Sequence, residues 1–281
     1  MISVLHLGTI DYTTGLRLQQ KLVELRKDGR IGDLLLLLEH TPVITLGRNA
    51  KRANVIAADE ALAMRGVELF DCDRGGDVTF HGPGQLVGYP IYDLRGFPAE
   101  DGGRKTLGAI EYVRRLEEVL IRTCAEFRIP AGRVLGLTGV WTSSLHAEID
   151  GARGIPAGQT PTDEVSNQEQ SKIAAIGVHI SRGVTSHGFA LNVNTDLSYF
   201  DLIVPCGITD KLVTSMQKEL GHEVVLQDVA HAAARNFGTV FQSQVLWLET
   251  LDALVGEKVG VPARAPQELR RLHKEDDIHW A

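Results

Sequence analysis

Leucines at helical spacing over residues 16–27, ending at Gly29, predict a first helix. The apolar run 34–38 and the stretch 43–46 are too short for helices and predict strands. Asp59 is placed to cap a short helix through Ala61, Leu62 and Met64, stopped by Gly66. Residues 67–70 then predict a strand leading into Arg74-Gly75-Gly76. The clearest helix is 106–127, where Leu107, Ile110, Val113, Leu116, Leu120, Cys124 and Phe127 recur every three or four positions on one face. That spacing puts Cys124 in the core, where a free cysteine behaves as a small hydrophobe. Residues 172–180 and 183–193 predict consecutive strands joined by a tight turn at Ser181 and Arg182, and 227–242 a further helix.

The pattern breaks between 142 and 171. This stretch is rich in Gly, Pro, Thr, Asp, Glu and Gln and nearly free of large apolar residues, so it buries little surface against its ordering entropy. It reads as an inserted mobile loop. The tail after Gly256 is charged and contains prolines, which predicts a peripheral helix or partial disorder. Strands outnumber strong helices and do not alternate with them, which argues for an α+β domain rather than a doubly wound sheet.

Composition narrows the picture modestly. An apolar share of 43% across 281 residues supports a sizeable core. No run approaches the ~20 apolar residues that span a bilayer, and no secretory signal is evident at the N-terminus. The expectation is a cytoplasmic protein with no membrane partner. Cys72, Cys124 and Cys206 are too widely spaced for a disulfide framework or a zinc site. His222, His231, His273 and His279 carry no ligand spacing either, so no metal and no cofactor are expected. A net charge of −7 argues against nucleic acid as a partner while leaving room for a local basic patch facing an acidic protein.

The most informative stretch is 74–91. Gly75 and Gly76 permit positive φ and close backbone approach, Val78 and Phe80 suit a strand, and Gly82-Pro83-Gly84 connects to a second strand after Gln85. Read alone, it is a glycine-rich hairpin holding His81 and Gln85 at a fixed place. No Gly-Lys-Ser/Thr follows, so it is not a phosphate loop. Cys206, in Val-Pro-Cys-Gly-Ile, is either a turn residue or a thiol presented to a pocket, and Lys172 opens an apolar strand, where a lysine is ordinarily a solvated strand end.

Arg74, Gly75, Gly76, Thr79, Phe80, His81, Gln85 and Tyr89 together resemble the signature of the lipoyl(octanoyl) transferases of lipoate biosynthesis. Three further blocks resemble that family in the same order: Glu39 to Arg48, Lys172 to Gly177, and Pro205 to Ile208. The resemblance implies a single mixed β-sheet domain flanked by helices, of the biotin/lipoate protein ligase type, over 1–255, with 142–171 inserted and 256–281 as a tail. It implies that Cys206 takes an octanoyl group from acyl carrier protein as a thioester and that Lys172 serves as base. The acceptors it implies are lysines on the lipoyl domains of 2-oxoacid dehydrogenases and on the glycine cleavage H protein. It assigns the acyl site to Arg74, Gly75, Gly76, Asp77, Val78, Thr79, Phe80 and His81, with Ala175, Ile176, Gly177, Gly188, Phe189 and Ala190. His81 is the competing base, and His40 and His187 either line the same pocket or serve as structural hydrogen-bonders. Cys72 reads as structural. The rival readings are an ATP-dependent lipoate or biotin ligase and a non-catalytic acyl-carrier binding protein.

Overall fold

The structure, a computed structural model, describes residues 1–99, 106–143, 170–204 and 212–251. A nine-stranded mixed sheet forms its centre. The strands are β1 (Ile2–Ile10), β2 (Asp33–His40), β6 (Gln85–Ile91), β7 (Ala131–Val134), β8 (Leu137–Ser143), β9 (Gln170–Ser181), β10 (Val184–Asn192), β11 (Leu212–Val213) and β12 (Val245–Trp247). Their order is β12-β1-β2-β6-β10-β9-β8-β7, with β11 alongside β9. The pairs β12–β1, β1–β2 and β11–β9 are parallel and the others antiparallel.

Successive side chains of a strand point to opposite faces, and β2 is apolar on both. Leu35 and Leu37 pack under helices α3 (Ala109–Glu126) and α5 (Leu226–Val240), the latter preceded in the chain by the short α4 (Met216–Leu220), with Leu116, Leu120, Cys124 and Phe237. Leu34, Leu36 and Leu38 face α1 (Tyr12–Lys27), with Leu22 and Leu25. The mixed sheet flanked by helices is thus the expected α+β architecture. A second sheet accompanies it: β3 (Val43–Leu46) lies between β4 (Glu68–Asp71) and β5 (Val78–His81). Ile44, Val78 and Phe80 form a third apolar core with Leu62 of α2 (Asp59–Met64) and with Phe200.

Several local expectations shift. The glycine-rich motif is not a hairpin: β5 pairs with β3, whereas β6 lies in the large sheet between β2 and β10. Gly82-Pro83-Gly84 therefore carries the chain from one sheet to the other. Ala58 rather than Asp59 occupies the cap position of α2, and Asp59 sits in its first turn, favourable to the helix dipole. Ile110, expected on the core face of α3, is 81% exposed, because at 3.6 residues per turn it stands about 160° round the helix from Tyr112, which with Leu116 and Val119 forms the buried face. The β9–β10 turn is one residue later than expected: Arg182 and Gly183 both have positive φ (52° and 83°), the signature of a tight hairpin matched to strand twist. The inserted segment lies almost wholly outside the described residues, as does the tail. Its expected bounds were wide at both ends, since β8 runs to Ser143 and β9 starts at Gln170.

Candidate active site

A cleft of about 360 Å³ lies between the large sheet and the loop that precedes β5. Its floor is small by sequence. Ala175 pairs with Ala190, and Gly177 with Gly188, across the central β9–β10 ladder, and all four line the cleft. Val87 and Tyr89 of β6 continue that surface. A run of small residues across two strands leaves the volume that larger side chains would fill.

A bulge brings Lys172 to this floor. Trp141 pairs with Lys172 and Val140 with Ala174, so β9 has one residue, Ile173, more than β8 at this point. Ile173 and Ala174 consequently both pack into the core beneath α3 and α5. The alternation restarts beyond them, and Lys172 joins Ala175 and Gly177 in lining the cleft. Bulges beside functional sites commonly re-aim a side chain in this way. The Lys172 Nζ lies 4.6 Å from the centre of the Trp141 ring, within cation–π range.

The opposite wall is built by two motif blocks docked on each other. The amides of Gly47, Arg48 and Asn49 donate to the carbonyls of Asp77, Arg74 and Gly76 (3.2, 3.0 and 3.1 Å). This approach requires glycine: a Cβ on Gly47 would stand 2.5 Å from the Gly76 carbonyl oxygen, and Gly76 itself has φ +91°. Arg74 is buried, and its guanidinium donates to the Thr45 carbonyl (2.7 Å), the Thr45 hydroxyl (2.9 Å) and the Gly75 carbonyl (3.1 Å). Asp77 accepts from its neighbour Val78 N (2.8 Å) and from Lys51 N (3.3 Å). Gly75 N donates to the Val178 carbonyl (3.0 Å), tying the loop to β9. Arg74 and Asp77 therefore hold the wall together as well as lining it.

Of the residues expected to bind substrate, Arg74, Gly76, Asp77, Val78, Thr79, His81, Ala175, Ile176, Gly177, Gly188, Phe189 and Ala190 line this cleft. Gly75 contributes a backbone tie just behind it. Phe80 is a correction. It turns to the other side of β5, where its ring stacks on Tyr199 at 4.6 Å and meets Phe200 edge-on at 5.7 Å. Alternation along a strand explains this, since Thr79 and His81 face the cleft and Phe80 lies between them. Cys206 lies outside the described residues. Just after its block the chain enters β11, where Val213 pairs with Lys172 and Thr214 N donates to the Lys172 carbonyl (3.0 Å).

The cleft also contains residues that no motif announced: Tyr12, Asn49, Gly136 of the β7–β8 turn, and Leu137 and Thr138 at the start of β8. Tyr12 follows Asp11, whose carboxylate caps α1 by accepting from Thr14 N (2.8 Å). A cap followed by an aromatic residue was the available signal for Tyr12. The hairpin 136–138 offers none.

Three buried histidines, His40, His81 and His187, are held neutral. His81 is pushed down to about 3 by burial, and then by the charges of His40 and Arg74. His40 is pushed down to about 4, chiefly by burial. The His40 Nδ1 donates to the Ile10 carbonyl (2.9 Å), so its Nε2 accepts from the Tyr89 hydroxyl (2.7 Å). His187 also has its pKa lowered by burial, against the opposing pull of Asp73, to which its Nε2 donates (2.7 Å). His40 is thus a buried structural hydrogen-bonder, and His187 both lines the cleft and anchors Asp73. Among the thiols, Cys124 is fully buried and pushed up to about 12 by burial, which makes it unreactive. Cys72 is half-buried, and its Sγ donates to the Leu46 carbonyl (3.3 Å). Among the described residues no cluster of His, Cys, Asp and Glu could hold a metal ion, and no helix is long and apolar enough to cross a membrane.

The fold is the α+β fold of lipoate protein ligases. The archaeal bipartite lipoate protein ligase of Thermoplasma acidophilum superposes with a TM-score of 0.61, covering 97% of this chain and 92% of that one at 16% identity. A lipoate-protein ligase A bound with ATP gives 0.61 at 14% identity, over 98% of this chain and 95% of that one. The family model "Lipoyl protein ligase A/B catalytic domain" matches residues 11–238. The octanoyltransferase of Koribacter versatilis is 60% identical over 99% of both chains, and that of Acidobacterium capsulatum 58% identical over 92% of this chain and 97% of the relative. The chain belongs to the lipoyl(octanoyl) transferase family and is an acyltransferase.

Proposed function

We propose that the chain carries octanoyl from acyl carrier protein to the lysine of a lipoyl domain, through a thioester on Cys206 with Lys172 as base. In the first half, the Cys206 sulfur attacks the donor thioester carbonyl, and Lys172 receives the thiol proton. The carrier thiol leaves with that proton as the C–S bond to Cys206 forms. In the second half, the amine of the acceptor lysine attacks the new thioester and gives a proton to Lys172. The C–N bond forms and Cys206 departs as a thiol. The first exchange is near-neutral in energy and the second converts a thioester to an amide, so no ATP is required.

One observation carries this reading: a lysine aimed by a bulge onto a floor of Ala175, Gly177, Gly188 and Ala190. A cleft of this size sits at the lower end of the range for ligand sites, about 300–1,000 Å³. An apolar chain laid there gains roughly 0.8 kcal/mol for each methylene it buries. Val213, seven positions beyond Cys206 in the chain, pairs with Lys172. His81 is a poorer base, since burial keeps its pKa near 3. Octanoyl transfer of this kind is a step of lipoate biosynthesis. The acceptors are the lipoyl domains of 2-oxoacid dehydrogenases and the glycine cleavage H protein, and the compartment is the cytoplasm.

Intact-mass measurement after mixing with octanoyl-acyl carrier protein tests this. The wild type should gain one octanoyl group, lose it on addition of a lipoyl domain, and need no ATP. Cys206→Ser should gain none and transfer none. An adduct on Cys206→Ser would overturn the covalent route. Octanoate plus ATP serving as the better donor would make the chain a ligase, and tight carrier binding with no transfer would make it a binding protein.

A further inference from the structure

We propose that Trp141 is a positioning residue for Lys172: its indole face is the platform that holds the lysine's Nζ over the cleft floor and steadies the ammonium formed when that nitrogen takes a proton. This rests on the reading of Lys172 as the base. Trp141 is among the largest fully buried side chains, yet it belongs to none of the three apolar cores. Its neighbour Val140 packs into the core under α3 and α5, whereas Trp141 has the Lys172 Nζ 4.6 Å from its ring centre. Its Nε1 is buried without a hydrogen-bond partner among the described residues. An unsatisfied buried donor is a cost that simple packing would avoid with a phenylalanine or leucine. Indole, however, is the aromatic face that attracts a cation most strongly.

The backbone around the pair is built for the same contact. Trp141 and Lys172 are direct cross-strand partners at the bulge. Two residues before Trp141, Gly139 has φ +118° and lies so close to β9 that a Cβ would stand 2.6 Å from the Ala174 carbonyl oxygen and 3.5 Å from the Lys172 Cε. Its amide donates to the buried carboxylate of Glu117 on α3 (3.1 Å), which fixes β8 at this height. Gly139 keeps the lysine's path clear, and Trp141 receives its nitrogen end. A long flexible side chain loses several rotamers when held against such a surface, and the ring lets that loss occur on folding rather than during each turnover.

The test compares Trp141→Phe, which keeps an aromatic face, with Trp141→Leu, which keeps only apolar bulk. The readouts are kcat, KM for octanoyl-acyl carrier protein and for a lipoyl domain, and melting temperature. Trp141→Leu should lose about tenfold or more in kcat with both KM values nearly unchanged, since displacing a reacting group by about 1 Å can cost 10²-fold. Trp141→Phe should recover most of that rate although both variants shorten the side chain and melt similarly. Equal rates for the two variants, or a loss confined to KM, would reduce Trp141 to packing. If Trp141→Leu does not fold, Trp141→Met supplies the same comparison. Lys172→Met separates the two ideas. If it still turns over, the base assignment fails, and if it is inactive while Trp141→Leu is fully active, only the positioning role fails.

Discussion

The His81 Nδ1 lies 2.8 Å from the Gln85 Oε1, and this contact fixes the proton on the imidazole. Gln85 donates through Nε2 to the Phe80 carbonyl (3.2 Å) and to the Asn192 Oδ1 (2.9 Å), so its oxygen can only accept. His81 therefore carries its hydrogen on Nδ1, and Nε2 is left as the acceptor. The chain of bonds continues: Asn192 donates to the Thr214 carbonyl (2.9 Å), and Thr214 N to the Lys172 carbonyl (3.0 Å). The glycine-rich motif is thereby tied to the backbone that carries Lys172. Buried networks of this kind rigidify a site when every member is satisfied.

These neutral histidines make stability depend on pH. The unfolded chain binds protons near pH 6.5, whereas folded His40 and His81 bind them only near 4 and 3. Between these values the unfolded state holds more protons, so stability rises with pH and is lost as pH falls from 6.5. Each histidine contributes a slope of up to about 1.4 kcal/mol per pH unit. Denaturant titrations between about pH 6.5 and 5, above most carboxylate titration, should show this decline, and His81→Gln should flatten it by about one proton's worth. An unchanged slope in His81→Gln would mean that His81 titrates normally in the fold.

Lys172→Arg should fold normally and lose at least about 10²-fold in transfer, the usual scale of a lost general base. Arginine keeps the positive charge and stacks well on an indole, so the contact with Trp141 can survive. What it cannot do is release a proton. Near-normal turnover would show that a fixed charge suffices at this position.

Much of this site could be read before the fold was known, for identifiable reasons. Glycines whose backbone must approach another chain segment, such as Gly47 and Gly76, leave a local mark in the sequence. So does an apolar period, which located β3 to the residue and α3 and α5 to within three residues at either end. The second sheet was not legible because β3 joins β4 and β5 through pairings that no local signal encodes. The face of Phe80 depends on that pairing, so it was misassigned with it. The bulge at Ile173 was hidden for a similar reason: it exists only relative to β8. Tyr12 reaches the cleft because α1 crosses the sheet beside β10, a tertiary fact.

Ala190→Leu should change which acyl chains are used. Ala190 pairs directly with Ala175 on β9 and with Val87 on β6, at the centre of the floor. Added carbons there have the cleft to enter, so the cost to stability should stay within about 1–3 kcal/mol. Octanoyl transfer should fall by about tenfold or more, whereas a four-carbon chain, with less tail to place, should be largely spared. Parallel assays with butanoyl and octanoyl donors check this. Equal losses for both would place the acyl tail elsewhere.

Replacing residues 144–169 with Asn-Gly should leave the protein folded and active. Ser143 and Gln170, the residues on either side, are paired cross-strand partners in the β8–β9 ladder. The chain thus leaves and re-enters the sheet at one rung, and a two-residue turn of this type closes such a rung with the twist the strands require. The replaced stretch carries few large apolar side chains, so little core is at stake. Loop-closure entropy changes by only about 0.6 kcal/mol for each doubling of length, so shortening should hold or slightly raise the melting temperature. Lys172 is the third residue beyond the new turn, which makes transfer a sensitive gauge of register. A slipped register would send Lys172 to the opposite face and abolish activity while the melt stayed cooperative. Loss of activity with the register intact, as judged by amide cross-peaks between β8 and β9, would assign the segment a part in binding the carrier protein or the acceptor domain.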